Sequence, residues 1–216
     1  VDGTRVGIGP GGRYTNQQLM QALIMASGND AAHAIAAQLG GDDATVAKMN
    51  ETAETLGALD TRAATPSGLD GPGMSSSAYD LALLFREAMT IPTFAELIST
   101  EQVQFPGFPP DPRIPDDDVH PPFPIGNDNH LLFNYDGALG GKTGYTDLAQ
   151  KTFVGGAERG GGGEDERDRQ TCFAVHDSHE NGRQDHCRRN ECEHDRECHG
   201  EPSPKHRWPI RVRLPR

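Results

Sequence analysis

The chain has few apolar residues and, over most of its length, no cysteine. Hydrophobic residues make up 34% of its 216 positions, below the roughly 45–50% that is usual for globular proteins. No apolar run approaches the ~20 residues that a helix needs to cross a bilayer. All four cysteines lie beyond residue 159, and nothing around them supports a disulfide pairing. The shortage of apolar residues is also concentrated beyond residue 159, in the same part of the chain as the cysteines.

The chain also lacks an excess of positive charge. Its net charge of −12 argues against a nucleic-acid partner, which would normally select a basic face. The arginines near the carboxyl end are best interpreted as a solvated tail. The sequence opens at Val1 without a methionine or a signal peptide. We therefore expect it to start inside a domain, so that the missing signal says little about the compartment.

Composition divides the chain into residues 1–159, with ordinary apolar density, and residues 160–216, rich in Gly, Arg, His, Asp and Glu. The second part has too little apolar surface to offset the entropy of ordering it, which predicts a disordered or out-of-frame tail. A frameshift near codon 160 of a GC-rich gene would give this composition. The alternative is a zinc site, and the tail holds enough ligand types for one: Cys187, Cys192, His194, Cys198 and His199. No structural framework flanks these residues in the sequence, which disfavours the alternative.

Five helices are predicted in the first hundred residues, and their caps mark where they begin. Thr15 with Gln18 forms a capping box for the first helix, which breaks at residues 27–29. A second helix runs from Asp30 to Leu39 and a third from Asp43 to Leu56. Ser77 with Asp80 caps the fourth, Pro92 ends it, and Thr93 with Glu96 caps the fifth.

Strands are predicted mainly in the second half. Residues 1–14 suggest a weak strand and turn, and residues 105–124, rich in Pro and acidic residues, suggest a long surface loop. Lys142-Thr143-Gly144 is placed at the start of a strand, and residues 152–154 are predicted as the last clear strand. Helices followed by strands indicate an α+β fold rather than βαβ alternation.

Two short motifs stand out in this framework. Ser27-Gly28-Asn29 lies where an amphipathic helix breaks, and Lys142-Thr143-Gly144 follows about a hundred residues later. Either motif alone is common by chance, the first as a simple helix break and the second as an ordinary turn or strand start. Together and in this order they match two of the three motifs of penicillin-binding proteins and serine β-lactamases, S-x-x-K, S-x-N and K-T-G.

The flanking residues resemble those of the D-Ala-D-Ala carboxypeptidases, the low-molecular-weight penicillin-binding proteins of the peptidase S11 type. The resemblance covers residues 1–159 and is carried by the run Leu19 to Ala32, Met49-Asn50, Gly68-Leu69-Asp70, Ser77 to Asp80 and Asn129 to Leu132. It implies a partial penicillin-binding-protein and serine β-lactamase-like fold, with a helical lobe and a remnant antiparallel sheet. The active site would lie between the lobe that bears Ser27 and the strand that bears Lys142.

The resemblance also implies roles in acyl transfer. Ser27 would relay a proton to the leaving amine, and Asn29 would bind the substrate amide. Lys142 and Thr143 would hold the substrate carboxylate, and Gly144 would keep the strand open for an added substrate strand. The backbone N–H of Tyr145 would form half of an oxyanion hole. The role of Asp128, where many relatives carry a basic residue, stays open.

The first motif, S-x-x-K, occurs nowhere in the chain, and in the family it lies upstream of S-x-N. We therefore expect the chain to lack the nucleophile and, as given, to be inactive. The alternatives are a non-catalytic fragment and a serine β-lactamase, which the absence of a glutamate from residues 60–66 disfavours.

The resemblance implies an extracytoplasmic location, with peptidoglycan pentapeptide and β-lactams as partners and no nucleic acid, metal or cofactor. Membrane or cell-wall association would depend on segments absent here. Because the family's first strands, nucleophile helix and last strand would also be missing, exposed sheet edges predict poor solubility.

Overall fold

The computed structural model describes residues 3–9, 11–111, 113–118, 120–159, 170–177 and 211–212. The helices are α1 Asn16–Ala26, α2 Asn29–Gln38, α3 Asp42–Thr55, α4 Ala78–Met89, α5 Pro92–Ser99 and α6 Leu131–Asn134. The strands are β1 Gln102–Phe105, β2 Phe123–Gly126, β3 Ala138–Thr146, β4 Gln150–Arg159, β5 Gln170–Asp177 and β6 Arg211–Val212. Five helices precede the strands, so the α+β class predicted from the sequence is confirmed.

The caps predicted for two of the helices are present. At α1, the Thr15 hydroxyl accepts a hydrogen bond from the Gln18 N–H at 3.2 Å, and the Gln18 side chain accepts one from the Thr15 N–H at 2.8 Å. At α4, the Ser77 hydroxyl accepts one from the Asp80 N–H at 3.2 Å. Each bond satisfies a donor that the first helical turn leaves without a partner. Local hydrogen bonding therefore sets where these helices begin.

The prediction for α5 was wrong. Pro92 does not end the preceding helix, which already stops at Met89, and Thr93 does not cap the next one. Instead Ile91 is the N-cap, and Pro92 occupies the first helical position. Proline fits there because its fixed φ suits the helix and its missing N–H would have no intrahelical partner.

The loop predicted for residues 105–124 begins and ends in strands. β1 and β2 pair antiparallel at its two ends, with Phe105 opposite Phe123. Phe105 is almost fully buried and stacks on Tyr14, with ring centroids 5.7 Å apart. The sequence pattern missed these strands because each has only four residues, too few for a clear alternation.

The larger sheet has the antiparallel order β3-β4-β5-β6. Lys142 lies in the middle of β3, not at the start of a strand as predicted. Residues 152–154 are not the last strand either, because β5 follows, pairs with residues 152–159 of β4 and packs near α4. β5 and β6 lie within residues 160–216, for which composition predicts a disordered or out-of-frame tail. The division at residue 159 stays a prediction, and the zinc and frameshift hypotheses concern residues that are mostly outside the described ones.

The strand predicted within residues 1–14 is absent from 3–9 and 11–14. Residues 6–8 instead direct their backbone N–H groups to a single side chain, the carboxylate of Asp30. This N-terminal segment, residues 3–8, covers the joint between α1 and α2. Val6 is buried there in the same apolar cluster as Met25 and Phe105.

A second apolar cluster holds the helical lobe against the larger sheet. Phe85 from α4 and Ile98 from α5 are buried in it, and Val154 of β4 packs against its edge. α1 joins the two clusters, since Ile24 belongs to this cluster and Met25 to the other. The carboxyl end of α1 is consequently fixed from both sides, and it carries the first motif.

Candidate active site

Ser27 ends α1 in a left-handed conformation, with φ 54° and ψ 35°. The carbonyl of Ala22 accepts hydrogen bonds from the backbone N–H groups of both Ser27 and Gly28. α2 then begins at Asn29, so Ser27 and Gly28 form the whole connection between the two helices and the third motif residue is the first of α2. A residue with a Cβ adopts this conformation rarely, and such strain clusters at functional sites.

Lys142 reaches Ser27 from the other side of the candidate site. Its Nζ donates hydrogen bonds to Ser27 Oγ and, at 2.8 Å, to the carbonyl of Thr143. The two motifs are 115 residues apart in sequence, and the fold brings them into direct contact. Both side chains are half-buried.

The position of β3 depends on its close approach to α5. A register irregularity interrupts the pairing of β3 with β4 between Ala138 and Gly140. Gly140 has φ +132°, and a Cβ built on it would lie 2.7 Å from the carbonyl oxygen of Ile98 in α5. Only glycine fits this backbone conformation without strain. Lys142 follows two residues later, so this close approach brings the strand that carries Lys142 against the helical lobe.

Burial lowers the pKa of Lys142, and the negative charge of Asp128 partly opposes that effect. Desolvation disfavours an ammonium ion, whereas a nearby carboxylate favours it. The backbone N–H of Asp128 donates to the carbonyl of Met25 at 3.2 Å, which ties this residue to the last turn of α1. Asp128, whose role the sequence left open, therefore lies beside the lysine.

Asn29 occupies the first position of α2 and is 8% exposed. Its backbone N–H donates to the carbonyl of Thr4 at 2.9 Å. Its side-chain amide lies against Gly3, where a Cβ would overlap it, and Leu69 approaches the same point. The loop that contains Leu69 thus reaches the candidate site.

Thr143, Gly144 and Tyr145 continue along β3, an outer strand of the described sheet, where β3 pairs with β4 alone. Tyr145 is 58% exposed. A Cβ on Gly144 would lie 2.6 Å from Thr152 Oγ1 on β4. The lack of a side chain at Gly144 therefore accommodates the neighbouring strand, a constraint that the sequence did not indicate. The other edge of β3 leaves backbone groups available for an added strand.

Two further interactions border the site and were not predicted. The carboxylate of Asp70 accepts a hydrogen bond from the Leu148 N–H at 3.1 Å, which joins the 65–73 loop to the β3–β4 turn. The buried Asn127 side chain donates to the carbonyls of Ile98 and Thr100 at 3.2 and 3.0 Å. Both residues hold loops across long sequence distances. A single sequence gives no signal for such partners.

The part of the chain that the structure describes contains no group of three or more His, Cys, Asp or Glu side chains arranged to hold a metal ion. The cysteines and histidines of the zinc alternative, from Cys187 to His199, lie outside the described residues. No helix among the described residues is long and apolar enough to cross a membrane.

The fold is that of the penicillin-binding proteins, as comparison with solved structures shows. A D-alanyl-D-alanine carboxypeptidase from Mycobacterium tuberculosis superposes with a TM-score of 0.69 and 45% identity, over 82% of this chain and 61% of that one. The Streptomyces K15 DD-transpeptidase gives a TM-score of 0.65 and 28% identity, over 74% of this chain and 62% of the other.

Sequence comparison narrows the class. Residues 2–163 match the sequence model of the D-alanyl-D-alanine carboxypeptidases, peptidase family S11, and the chain belongs to that family. It is 51% identical over 158 residues to the D-alanyl-D-alanine carboxypeptidase DacB2 of Mycobacterium tuberculosis, which covers 72% of this chain and 50% of the relative. The chain thus spans about half the length of this curated relative. The family predicted from the two motifs is confirmed.

Proposed function

We propose that the chain forms part of a serine-type D-Ala-D-Ala carboxypeptidase that acts on peptidoglycan stem peptides through an acyl-enzyme. The observation that supports it most is the hydrogen bond from Lys142 Nζ to Ser27 Oγ, which joins the two family motifs in one site. A serine hydroxyl beside a partly desolvated amine can pass a proton between a nucleophile and a leaving group.

Each residue of the site would have a separate role in this reaction. Lys142 and Thr143 would bind the carboxylate of the terminal D-alanine, while the substrate backbone pairs with the free edge of β3 as an added strand. Ser27 would relay a proton to the departing amine, and Asn29 would bind the substrate amide. The backbone N–H of Tyr145 would donate to the developing oxyanion, an interaction that is typically worth about 3–4 kcal/mol.

Acylation needs a nucleophile that this sequence does not contain. No serine in it is followed three residues later by a lysine. We propose that the chain as given binds substrate or β-lactam without acylation, and that a longer form with an upstream S-x-x-K is the active one. The second candidate is a non-catalytic role for the chain by itself, and the absence of an S-x-x-K motif favours it.

A fluorescent penicillin tests these roles. Both the chain and a form extended by the upstream coding sequence are incubated with it, and covalent label is read after denaturation. We expect label in the extended form alone, lost in Lys142→Gln and kept in Lys48→Gln, whose exposed lysine lies on α3. Label on the short chain would contradict the missing-nucleophile argument, and label on extended Lys142→Gln would contradict the role of Lys142.

Turnover then separates the carboxypeptidase from the β-lactamase alternative. We expect the extended form to release D-alanine from a pentapeptide and to hydrolyse the β-lactam only slowly. Rapid β-lactam hydrolysis without release of D-alanine would favour the β-lactamase. The proposal also places the protein outside the cytoplasmic membrane, where its substrate is found, and fractionation of the native host would test that location.

A further inference from the structure

Asp30 is a buried carboxylate that the proposed chemistry does not use. Its residue is only 9% exposed, and it lies in the first turn of α2, directly after Asn29. Four backbone N–H groups donate to it, those of Val6 and Ala31 at 3.2 and 3.0 Å and those of Gly7 and Ile8 at 2.9 Å each. Backbone N–H groups of a turn and of a helix N-terminus stabilise a buried anion. The carboxylate thus binds the N-terminal segment to α2.

The N-terminal segment lies directly against the Ser27–Asn29 connection. The carbonyl of Thr4 accepts the Asn29 N–H at 2.9 Å. Val6 Cγ2 lies 3.3 Å from the place where a Cβ on Gly28 would be, and Gly3 abuts the Asn29 amide. The segment therefore contacts Gly28 and Asn29 directly, and a movement of the segment would remove the support on this side of the connection.

Ser27 needs such support. Its left-handed conformation is unfavourable for a residue with a Cβ, and it persists only where the surroundings fix it. On one side the carbonyl of Ala22 holds the backbone N–H groups of Ser27 and Gly28. On the other side the N-terminal segment holds Gly28 and Asn29. The carboxylate of Asp30 is the common partner of residues 6–8 on that second side.

We propose that Asp30 is a positioning residue of the site: by binding residues 6–8 it fixes the Ser27–Asn29 connection and keeps Ser27 Oγ in contact with Lys142 Nζ. The inference rests on the proposed function only because that function defines the site in which Asp30 acts. The contacts of Asp30 are present in the chain itself, so the test does not require the chain to be catalytically active.

Asp30→Asn is the first test, with Asp80→Asn as a matched control. Asparagine keeps the shape, but its amide NH₂ group is a donor, so it can accept a hydrogen bond from neither Gly7 nor Ile8. Asp80 is 2% exposed and likewise accepts a backbone N–H, that of Asp60 at 2.8 Å, but it serves the loop before α4. We expect both variants to lower the melting temperature, because each leaves buried donors without an acceptor.

The readout that separates positioning from stability is the titration of Lys142. The four lysines of the chain are labelled by an amine reagent at a series of pH values and quantified by mass spectrometry. In the unsubstituted chain and in Asp80→Asn, we expect the Lys142 midpoint to lie below 10.5, its ordinary pKa. In Asp30→Asn, we expect it to rise toward 10.5, because water reaches the amine once Ser27 moves away.

An unchanged Lys142 midpoint in Asp30→Asn, with a melting temperature lowered as in Asp80→Asn, would show that Asp30 is only structural. Should Asp30→Asn not fold, Gly7→Ala displaces the same segment without altering α2. Gly7 has φ +85°, and a Cβ on it would overlap the ring of Phe108. In Gly7→Ala, a higher Lys142 midpoint would support the positioning role of the segment, and an unchanged midpoint would contradict it. Failure of the penicillin experiment would leave this result unaffected.

Discussion

Gly140→Ala is expected to destabilise the chain and to disturb the site, because the glycine lets β3 approach α5. Its φ of +132° costs a residue with a Cβ about 1–3 kcal/mol. The added methyl would also lie 2.7 Å from the Ile98 carbonyl oxygen, and overpacking typically costs about 1–3 kcal/mol. The backbone carbonyl cannot rotate away as a side chain could. We therefore expect a total loss of about 2–6 kcal/mol.

Urea unfolding measures the loss, and Gly126→Ala is the matched control. Gly126 also lies in a strand, β2, but a Cβ there would have no atom within 4 Å. Alanine at Gly126 should change the free energy of unfolding by no more than about 1 kcal/mol, the size of the effect that such a substitution has through the unfolded chain. Equal stabilities for the two variants would refute the reasoning. The Lys142 titration should also shift in Gly140→Ala alone, since β3 carries that lysine.

Two further predictions concern the loops and the charge around the site. Asn127→Ala should lower the free energy of unfolding in urea by about 2–4 kcal/mol, because it leaves the Ile98 and Thr100 carbonyls without their donor. As a control, Asn134→Ala removes one exposed hydrogen bond to the His130 carbonyl and should lower it by less than about 1 kcal/mol. The lowered pKa of Lys142 means that the unfolded chain binds more protons between that pKa and 10.5, so stability rises with pH across this window. Lys142→Gln should remove the rise when unfolding is measured at a series of pH values, and an unchanged rise would contradict burial of the amine.

The parts of the fold that the sequence predicted correctly are those that local signals determine. The capping box at Thr15 and the Ser77 cap each involve a donor and an acceptor three residues apart, so they are visible in a short window. The break at Ser27 is visible because three residues of poor helix propensity interrupt an apolar stripe. The two motifs then identified the family, which supplied the arrangement of the lobe and the strand.

The parts that were missed depend on partners far away in sequence. β1 and β2 are four residues each and form a sheet only through each other, across a loop of 17 residues from 106 to 122. β5 lies within the segment that composition assigned to a tail, and all of its residues pair with β4. Pairing with a strand already in place can order a segment whose own sequence has little preference for a strand. Composition alone cannot anticipate that contribution.

The candidate site shows how the same limitation applies to function. Ser27 and Lys142 were found by their motifs, but the features that hold them are a carboxylate, Asp30, and a glycine, Gly140. Each acts on the backbone: one binds N–H groups of residues 6–8, and the other permits contact with the Ile98 carbonyl. Backbone contacts of this kind are largely independent of the side chains they touch, so they leave little trace in a single sequence. The left-handed Ser27 and the reach of Lys142 are therefore properties of the assembled fold, and a variant can retain both motifs and still lose their contact.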